Sequence, residues 1–169
     1  MPRGFTLLEL LITVSVLSIL LAVAAPRFSR VSQTVQMQGL ATELFGFLNQ
    51  SKAEAVMRNT KLYVHFSMGK DNTINGGNWS LNLTDSTVVG GNTILHFSGS
   101  SYSELSIKHN YDAKYISFEE VRGRPNSGSI EFFSTNNQSL KLKIKLSNPP
   151  GRIKICSHSG AKLYDYKKC

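Results

Sequence analysis

Hydrophobic positions divide the chain into three parts, of which the first two predict a helix. Residues 5–26 form a nearly unbroken apolar run with one carboxylate, Glu9, near its start. After Pro26 apolar residues recur every three to five positions, which is the spacing of one helix face. The pattern predicts a single long helix from about Phe5 to Asn59. It also predicts a kink at Pro26, because proline lacks an N–H donor and clashes with the preceding turn.

The third part, residues 60–169, consists of short alternating segments separated by Gly, Asn and Ser clusters, a pattern typical of strands and turns. The predicted strands are 61–67, 78–83, 93–97, 104–108, 115–119, 129–134, 139–147 and 152–157. A sheet with one apolar face needs a cover, and the amphipathic part of the helix, residues 27–59, is the available partner. The predicted fold class is α+β, with a long N-terminal helix packed on an antiparallel β-sheet head.

The apolar run is long enough to cross a membrane. About 20 residues at 1.5 Å rise give roughly 30 Å of helix, the thickness of a bilayer core. A carboxylate in such a segment costs on the order of 2.5–3.5 kcal/mol, so Glu9 is a candidate functional residue. Residues 5–26 are therefore predicted to be a transmembrane segment, preceded by a short basic leader, residues 1–4.

The charge is unevenly distributed and points to an anionic partner. Nineteen Lys and Arg residues against eleven Asp and Glu residues give a formal charge of +8. Strand alternation places Lys141, Lys143 and Lys145 on one face, and it places Arg152 and Lys154 together on the next strand. The remaining cations of this region lie in the tail that follows: Lys162, Lys167 and Lys168.

A basic patch of this kind can hold the phosphate backbone of a nucleic acid without reading its sequence. The alternative is an ordinary solvated sheet face, because lysines also protect edge strands from aggregation. The segment Arg122-Gly123-Arg124 is a second basic cluster. It is either a plain turn or part of the same surface.

Three stretches carry a resemblance to a known family. Residues 4–28, GFTLLELLITVSVLSILLAVAAPRF, resemble the N-terminal segment of type IV pilins and type II secretion pseudopilins. Residues 48–61, LNQSKAEAVMRNTK, resemble the helix end of the FimT/GspH group of minor pilins and pseudopilins. Residues 151–156, GRIKIC, resemble the Gly-Arg-x-Arg segment followed by Cys in FimT-like minor pilins, with Lys154 in place of the second arginine.

The resemblance implies processing and assembly. A prepilin peptidase is expected to cut after Gly4, which removes the leader and leaves Phe5 as the methylated N-terminus. Glu9 is then expected to pair with the Phe5 amine of a neighbouring pilin subunit, since two buried charges offset each other only when both are present. The alternatives for Glu9 are a protonated carboxyl group or a carboxylate that reaches the membrane interface.

The two cysteines, Cys156 and Cys169, both lie near the end of the sequence. Export to an oxidising compartment favours a disulfide between them. Two free thiols or a metal pair are the alternatives. The implied location is the bacterial inner membrane, as a single-pass protein with its head in the periplasm, and later the pilus outside the cell.

The function indicated is that of a minor type IV pilin of the FimT type, with roles in pilus assembly and in DNA binding during natural transformation. The alternative is a minor GspH-like pseudopilin of a type II protein secretion system. Enzymatic activity is not predicted, because the four histidines lack ligand spacing and no nucleophile or phosphate-loop motif is present. No cofactor or metal is expected. The expected partners are other pilin subunits, the prepilin peptidase, the inner membrane before assembly, and DNA, which the head, residues 60–169, is expected to bind.

Overall fold

The computed structural model describes residues 5–67, 73–158 and 162–169, without the side chains of residues 23–30. Gly4 and the rest of the expected leader lie outside the described residues. One helix, α1, spans Leu7–Met57. The strands are β1 Leu62–Ser67, β2 Thr73–Ile74, β3 Ser80–Thr84, β4 Thr93–Ser98, β5 Leu105–His109, β6 Tyr115–Phe118, β7 Gly128–Ser134, β8 Asn137–Ser147 and β9 Arg152–Ser157.

Helix α1 begins and ends at residues whose side chains or backbone suit those positions. Thr6 precedes the first helical residue, and its hydroxyl oxygen accepts a hydrogen bond from the Glu9 N–H at 3.2 Å, as an N-cap does. At the other end Asn59 takes a left-handed conformation, with φ of 48°. The Thr60 N–H returns to the Ala55 carbonyl oxygen at 3.1 Å, which closes the last turn. The predicted helix is confirmed, and its backbone remains helical through Pro26.

The chain divides into two compact units, Met1–Val35 and Gln36–Cys169. In the first unit the described apolar side chains of α1 are exposed in the single chain, as Leu7 and Leu21 illustrate. No helical segment among the described residues is both long and apolar enough to cross a membrane. The membrane span expected over residues 5–26 therefore stays a prediction.

The second unit contains the rest of α1 and two antiparallel sheets. One sheet has the order β4-β3-β1-β6, and the other has the order β2-β5-β7-β8-β9. The eight predicted strands are present with small shifts at their ends. The two-residue strand β2 was not predicted. It pairs with β5 and is too short to give an alternating pattern.

The core of the second unit is one hydrophobic cluster to which α1 and both sheets contribute. The α1 residues buried in this cluster are Met37, Leu40, Ala41, Leu44, Phe47, Leu48 and Ala55. The Phe47 ring lies 5.6 Å from the Phe97 ring of β4, measured between centroids. The periodicity had also included Val31 and Val35, but both are 61% exposed. Among the described side chains of α1, the buried stripe thus starts at Met37 and not at Val31.

Candidate functional site

The outer face of the five-stranded sheet carries the predicted lysines. In β8 the apolar residues Leu142, Ile144 and Leu146 are buried in the core. Because strand side chains alternate, the residues between them point the other way. The register with β9 sets Lys145 directly opposite Lys154, and Ser147 opposite Arg152. The structure therefore brings five of the predicted cations onto one face: Lys141, Lys143, Lys145, Arg152 and Lys154.

A sixth cation joins this face from β5. Lys108 is paired with Glu131 of β7, which in turn is paired with Lys143. Sequence reasoning missed Lys108, because strand order was needed to place β5 beside β7. These six residues, Lys108, Lys141, Lys143, Lys145, Arg152 and Lys154, are called the basic face below.

Two members of the basic face have partners on the same sheet. The Lys143 ammonium lies 2.7 Å from Glu131 Oε1, and the Lys141 ammonium lies 4.9 Å from the centre of the Phe133 ring. Burial raises the pKa of Glu131, but the hydrogen bond and charge of Lys143 outweigh this effect. The charges of His158 and Lys141 lower the pKa of Glu131 further, so that it falls below its usual range. Glu131 is therefore a carboxylate near neutral pH.

The other four members have no carboxylate partner within the described residues: Lys108, Lys145, Arg152 and Lys154. Like charges directly opposite each other across two strands are unfavourable, so the Lys145–Lys154 pair does not stabilise the sheet. Strand β8 lies between β7 and β9. Its lysines are consequently not the protection of an edge strand, whereas Arg152 and Lys154 lie on β9, which is the last strand of this sheet.

The tail after β9 closes the edge of the same sheet. Cys156 and Cys169 form a disulfide, which confirms that prediction. The Ser157 N–H donates to the Lys167 carbonyl oxygen at 2.8 Å, and the Cys169 N–H donates to the Ser157 carbonyl oxygen at 3.1 Å. Lys167 and Lys168 are exposed along this edge. Lys162 instead forms an ion pair of 2.8 Å with Asp165 within the tail, apart from the strands.

A groove of about 360 Å³ lies at one end of the basic face. Lys143, Lys145 and Cys169 line it, together with Ser127 and Ser129 near the start of β7. Beside it lies a second depression of about 250 Å³ that shares Lys143 with it and includes Lys108. Hydroxyl and ammonium groups therefore line both depressions and can donate hydrogen bonds to an anion. Tyr164 and Tyr166 are partly buried against the core and belong to the packing of the tail.

The second basic cluster lies close to the β8–β9 turn. The three heavy atoms nearest to the position of a Cβ on Gly151 all belong to Arg124, the closest at 2.8 Å. The sequence could not show this contact, because Arg124 lies 27 positions before Gly151 along the chain, and the two meet only when the loop before β7 packs against the β8–β9 turn.

At the N-terminus, Phe5 is 74% exposed, and the Glu9 side chain is exposed in the single chain. Thr6 and Glu9 have the spacing of a capping box, a signal in the sequence that the helix prediction did not use. The roles of Gly4, Phe5 and Glu9 in processing and assembly stay predictions.

The long N-terminal helix packed on antiparallel sheets defines the class of protein as a pilin-type subunit. The family model described as Type II transport protein GspH matches residues 40–151, and the prokaryotic N-terminal methylation motif matches residues 2–25. The chain belongs to the GspH family. It is a minor pilin or pseudopilin, of a type IV pilus or of a type II secretion system.

Solved structures show the same fold at low sequence identity. The type IV minor pilin FimU of Pseudomonas aeruginosa is 18% identical with a TM-score of 0.55, over 70% of this chain and 87% of that one. The minor pseudopilin EpsH from the Type 2 Secretion System of Vibrio cholerae is 11% identical with a TM-score of 0.51, over 72% of this chain and 97% of that one. Curated protein sequences gave no significant match.

Membership of this family carries consequences for assembly. Minor pilins and pseudopilins assemble with other pilin subunits, and the methylation motif implies processing by a prepilin peptidase. The motif and the family also imply a membrane-anchored component of a pilus or pseudopilus. The family and the structural neighbours are structural subunits and not enzymes.

Proposed function

We propose that this chain is a minor type IV pilin whose basic face binds the phosphate backbone of DNA during uptake in natural transformation. It is held in the inner membrane by residues 5–26, with its head in the periplasm, until it is processed after Gly4 and enters the filament. Glu9 then pairs with the Phe5 amine of a neighbouring subunit.

The observation that carries the proposal is the like-charge pair Lys145–Lys154, which faces the same side of the sheet across β8 and the last strand, β9. This pair does not help the fold, and neither lysine has a carboxylate partner among the described residues. Arg152 extends the same surface at the turn. A polyanion lying across these strands would neutralise the charges and release its own counterions, which favours binding.

The direct test is a duplex DNA titration of the full chain in detergent micelles over a series of salt concentrations. The Arg152→Gln/Lys154→Gln variant is expected to bind more weakly. Its plot of log K against log salt should be shallower by about 2, since each lost phosphate contact removes about 0.9 from the slope. Such contacts position a protein and do not read bases, so duplexes of unrelated sequence should give the same affinity.

The matched control removes two positive charges elsewhere. Lys61 and Lys114 precede β1 and β6, which are neighbours in the four-stranded sheet. The Lys61→Gln/Lys114→Gln variant has the same net charge as the test variant and should keep the wild-type slope. Equal weakening in both variants would show that net charge and not the basic face governs binding.

The second candidate function is that of a minor pseudopilin in type II secretion, and the description of the matching family model favours it. The two functions differ in the phenotype of a deletion strain. A pilin of the proposed kind is needed for DNA uptake, whereas a pseudopilin is needed for export of secreted proteins. Loss of secretion with normal transformation would favour the pseudopilin.

A further inference from the structure

Gly151 is in close contact with an arginine from another part of the chain. It has φ of 84°, a conformation that side chains other than glycine rarely adopt. A Cβ at this position would lie 2.8 Å from Cγ and 3.4 Å from Cβ of Arg124. The absence of a side chain at Gly151 therefore lets the Arg124 side chain lie directly on the β8–β9 turn, at the residue that precedes Arg152 in the chain.

The loop that carries Arg124 is fixed on both sides. The Glu119 N–H donates to the Arg124 carbonyl oxygen, and the Gly123 N–H donates to the Glu119 carbonyl oxygen, each at 3.1 Å. Gly123 has φ of 61° and sits against Lys52 of α1, where a Cβ would lie 2.6 Å from the Lys52 Cγ. The loop is thus a tight turn whose position on the helix depends on that glycine.

The exit of the loop is tied to the β8–β9 turn by a pair of hydrogen bonds. The Ser127 hydroxyl accepts from the Asn148 N–H at 2.9 Å and donates to the Asn148 carbonyl oxygen at 3.2 Å. The loop that carries Arg124 is therefore joined to the β8–β9 turn through Ser127 as well as through the contact with Gly151.

The guanidinium of Arg124 keeps capacity for an anion. Its Nε lies 3.7 Å from Glu119 Oε1, a long contact, and its side chain is 33% exposed. An exposed pair of this kind contributes little, and a guanidinium has five N–H donors. This single long contact through Nε leaves the terminal amino groups of the guanidinium for a phosphate, which arginine binds in a bidentate manner that lysine cannot match.

We propose that Arg124 is a further phosphate-binding residue of the DNA site, and that Gly151 is a positioning residue that admits it to the turn. The proposal rests on the proposed function. It supplies a guanidinium from a different segment of the chain at the turn that leads into Arg152 and β9.

The test compares two neighbouring arginines in the same salt series, with the full chain in detergent micelles and duplex DNA. Arg124→Gln is expected to weaken binding and to lower the salt slope by about 0.9, the value for one phosphate contact. Arg122→Gln is the matched control, because Arg122 is exposed on the same turn and takes no part in the contact with Gly151. It should leave the slope unchanged.

Gly151→Ala tests the positioning role. In the wild-type background the added methyl group must displace Arg124, so affinity and slope should fall as in Arg124→Gln. In an Arg124→Ala background the same change should have a much smaller effect on the slope. Thermal melts identify a variant that fails to fold, and in that case the two arginine variants decide the question without it.

Two results would overturn the inference, and they are distinguishable from failure of the proposed function. Equal slopes for Arg124→Gln and Arg122→Gln, with Arg152→Gln/Lys154→Gln still impaired, would remove Arg124 and leave the DNA site standing. Absence of salt-dependent DNA binding by the wild-type chain would remove both.

Discussion

Glu9 is the residue on which assembly into a filament depends in this account. Its N–H is part of the N-terminal cap of α1, through the hydrogen bond to the Thr6 hydroxyl. Its carboxylate is also placed in the first turn of the helix, where a negative charge is favourable. The side chain therefore has a local role in the helix as well as the proposed contact with a neighbouring Phe5 amine.

The two roles can be separated by substitution. Glu9→Gln retains a side chain that suits a capping box but removes the charge, and we expect this variant to be poorly incorporated into filaments. Thr6→Ala is the control, because it weakens the cap by about 1 kcal/mol and leaves the carboxylate in place. Immunoblots of sheared filaments and of cell membranes measure incorporation. Wild-type levels of the Glu9→Gln subunit in filaments would refute the pairing.

His109 is a buried residue whose titration should affect stability. Its ring stacks on Phe66 at 4.0 Å between centroids, and its Nδ1 accepts a hydrogen bond from the Tyr111 N–H. Burial, followed by the charge of Lys114, lowers the pKa of His109 below its ordinary value of 6.5. Below pH 6.5 the unfolded chain therefore binds more protons at this position than the folded chain does, and the free energy of unfolding decreases as the pH falls.

His109→Phe keeps an aromatic ring against Phe66 and removes the titrating group. The melting temperature of this variant should fall less than that of the wild type between about pH 7.5 and about pH 5. The comparison uses the difference between the two pH values, so a constant loss from the missing Tyr111 hydrogen bond does not affect it. An equal fall in both proteins would contradict the assignment of a buried neutral histidine.

At the scale of the element, the two faces of β8 have different roles: one stabilises the fold, and the other carries lysines that are proposed to bind DNA. Its apolar residues enter the core, and its lysines lie on the opposite face. Ile144→Ala should reduce the free energy of unfolding by about 2–5 kcal/mol, because it leaves a cavity among fully buried side chains.

Lys145→Gln should lower the free energy of unfolding by no more than about 0.5 kcal/mol. A small increase is equally consistent with the structure, because the substitution relieves the repulsion with Lys154. Denaturant titrations measure both variants. A large loss of stability in Lys145→Gln would mean that the lysine belongs to the fold and is not available for a ligand.

Strand alternation was sufficient to predict which residues of β8 and β9 share a face, because the period of two is fixed by the backbone. It could not predict that β5 lies two strands from β8, and so it missed Lys108. It also could not show that Arg124 lies on Gly151, since contacts between loops depend on the whole topology. Along α1 the spacing of apolar residues continued to Val31 and Val35, but periodicity does not tell where the packed surface begins.

At the scale of the whole molecule, the chain consists of an N-terminal segment with a motif that many filament subunits share and a head, residues 60–169, with its own surface. The N-terminal methylation motif at residues 2–25 is the part that places the chain among filament subunits. The head has a sheet whose outer face, within the part of the chain that the structure describes, carries the six residues of the basic face and one carboxylate, Glu131. In this account the helix determines where the protein is and the basic face determines what it binds.

The most direct test of this account is the transformation frequency of a strain whose chromosomal copy carries Arg152→Gln/Lys154→Gln, measured together with the amount of the subunit in sheared pili. The account predicts a reduced frequency at a wild-type level of incorporation, and no reduction for Lys61→Gln/Lys114→Gln. An unchanged frequency in the first strain, with pili assembled normally, would contradict the claim that this subunit binds DNA through its basic face.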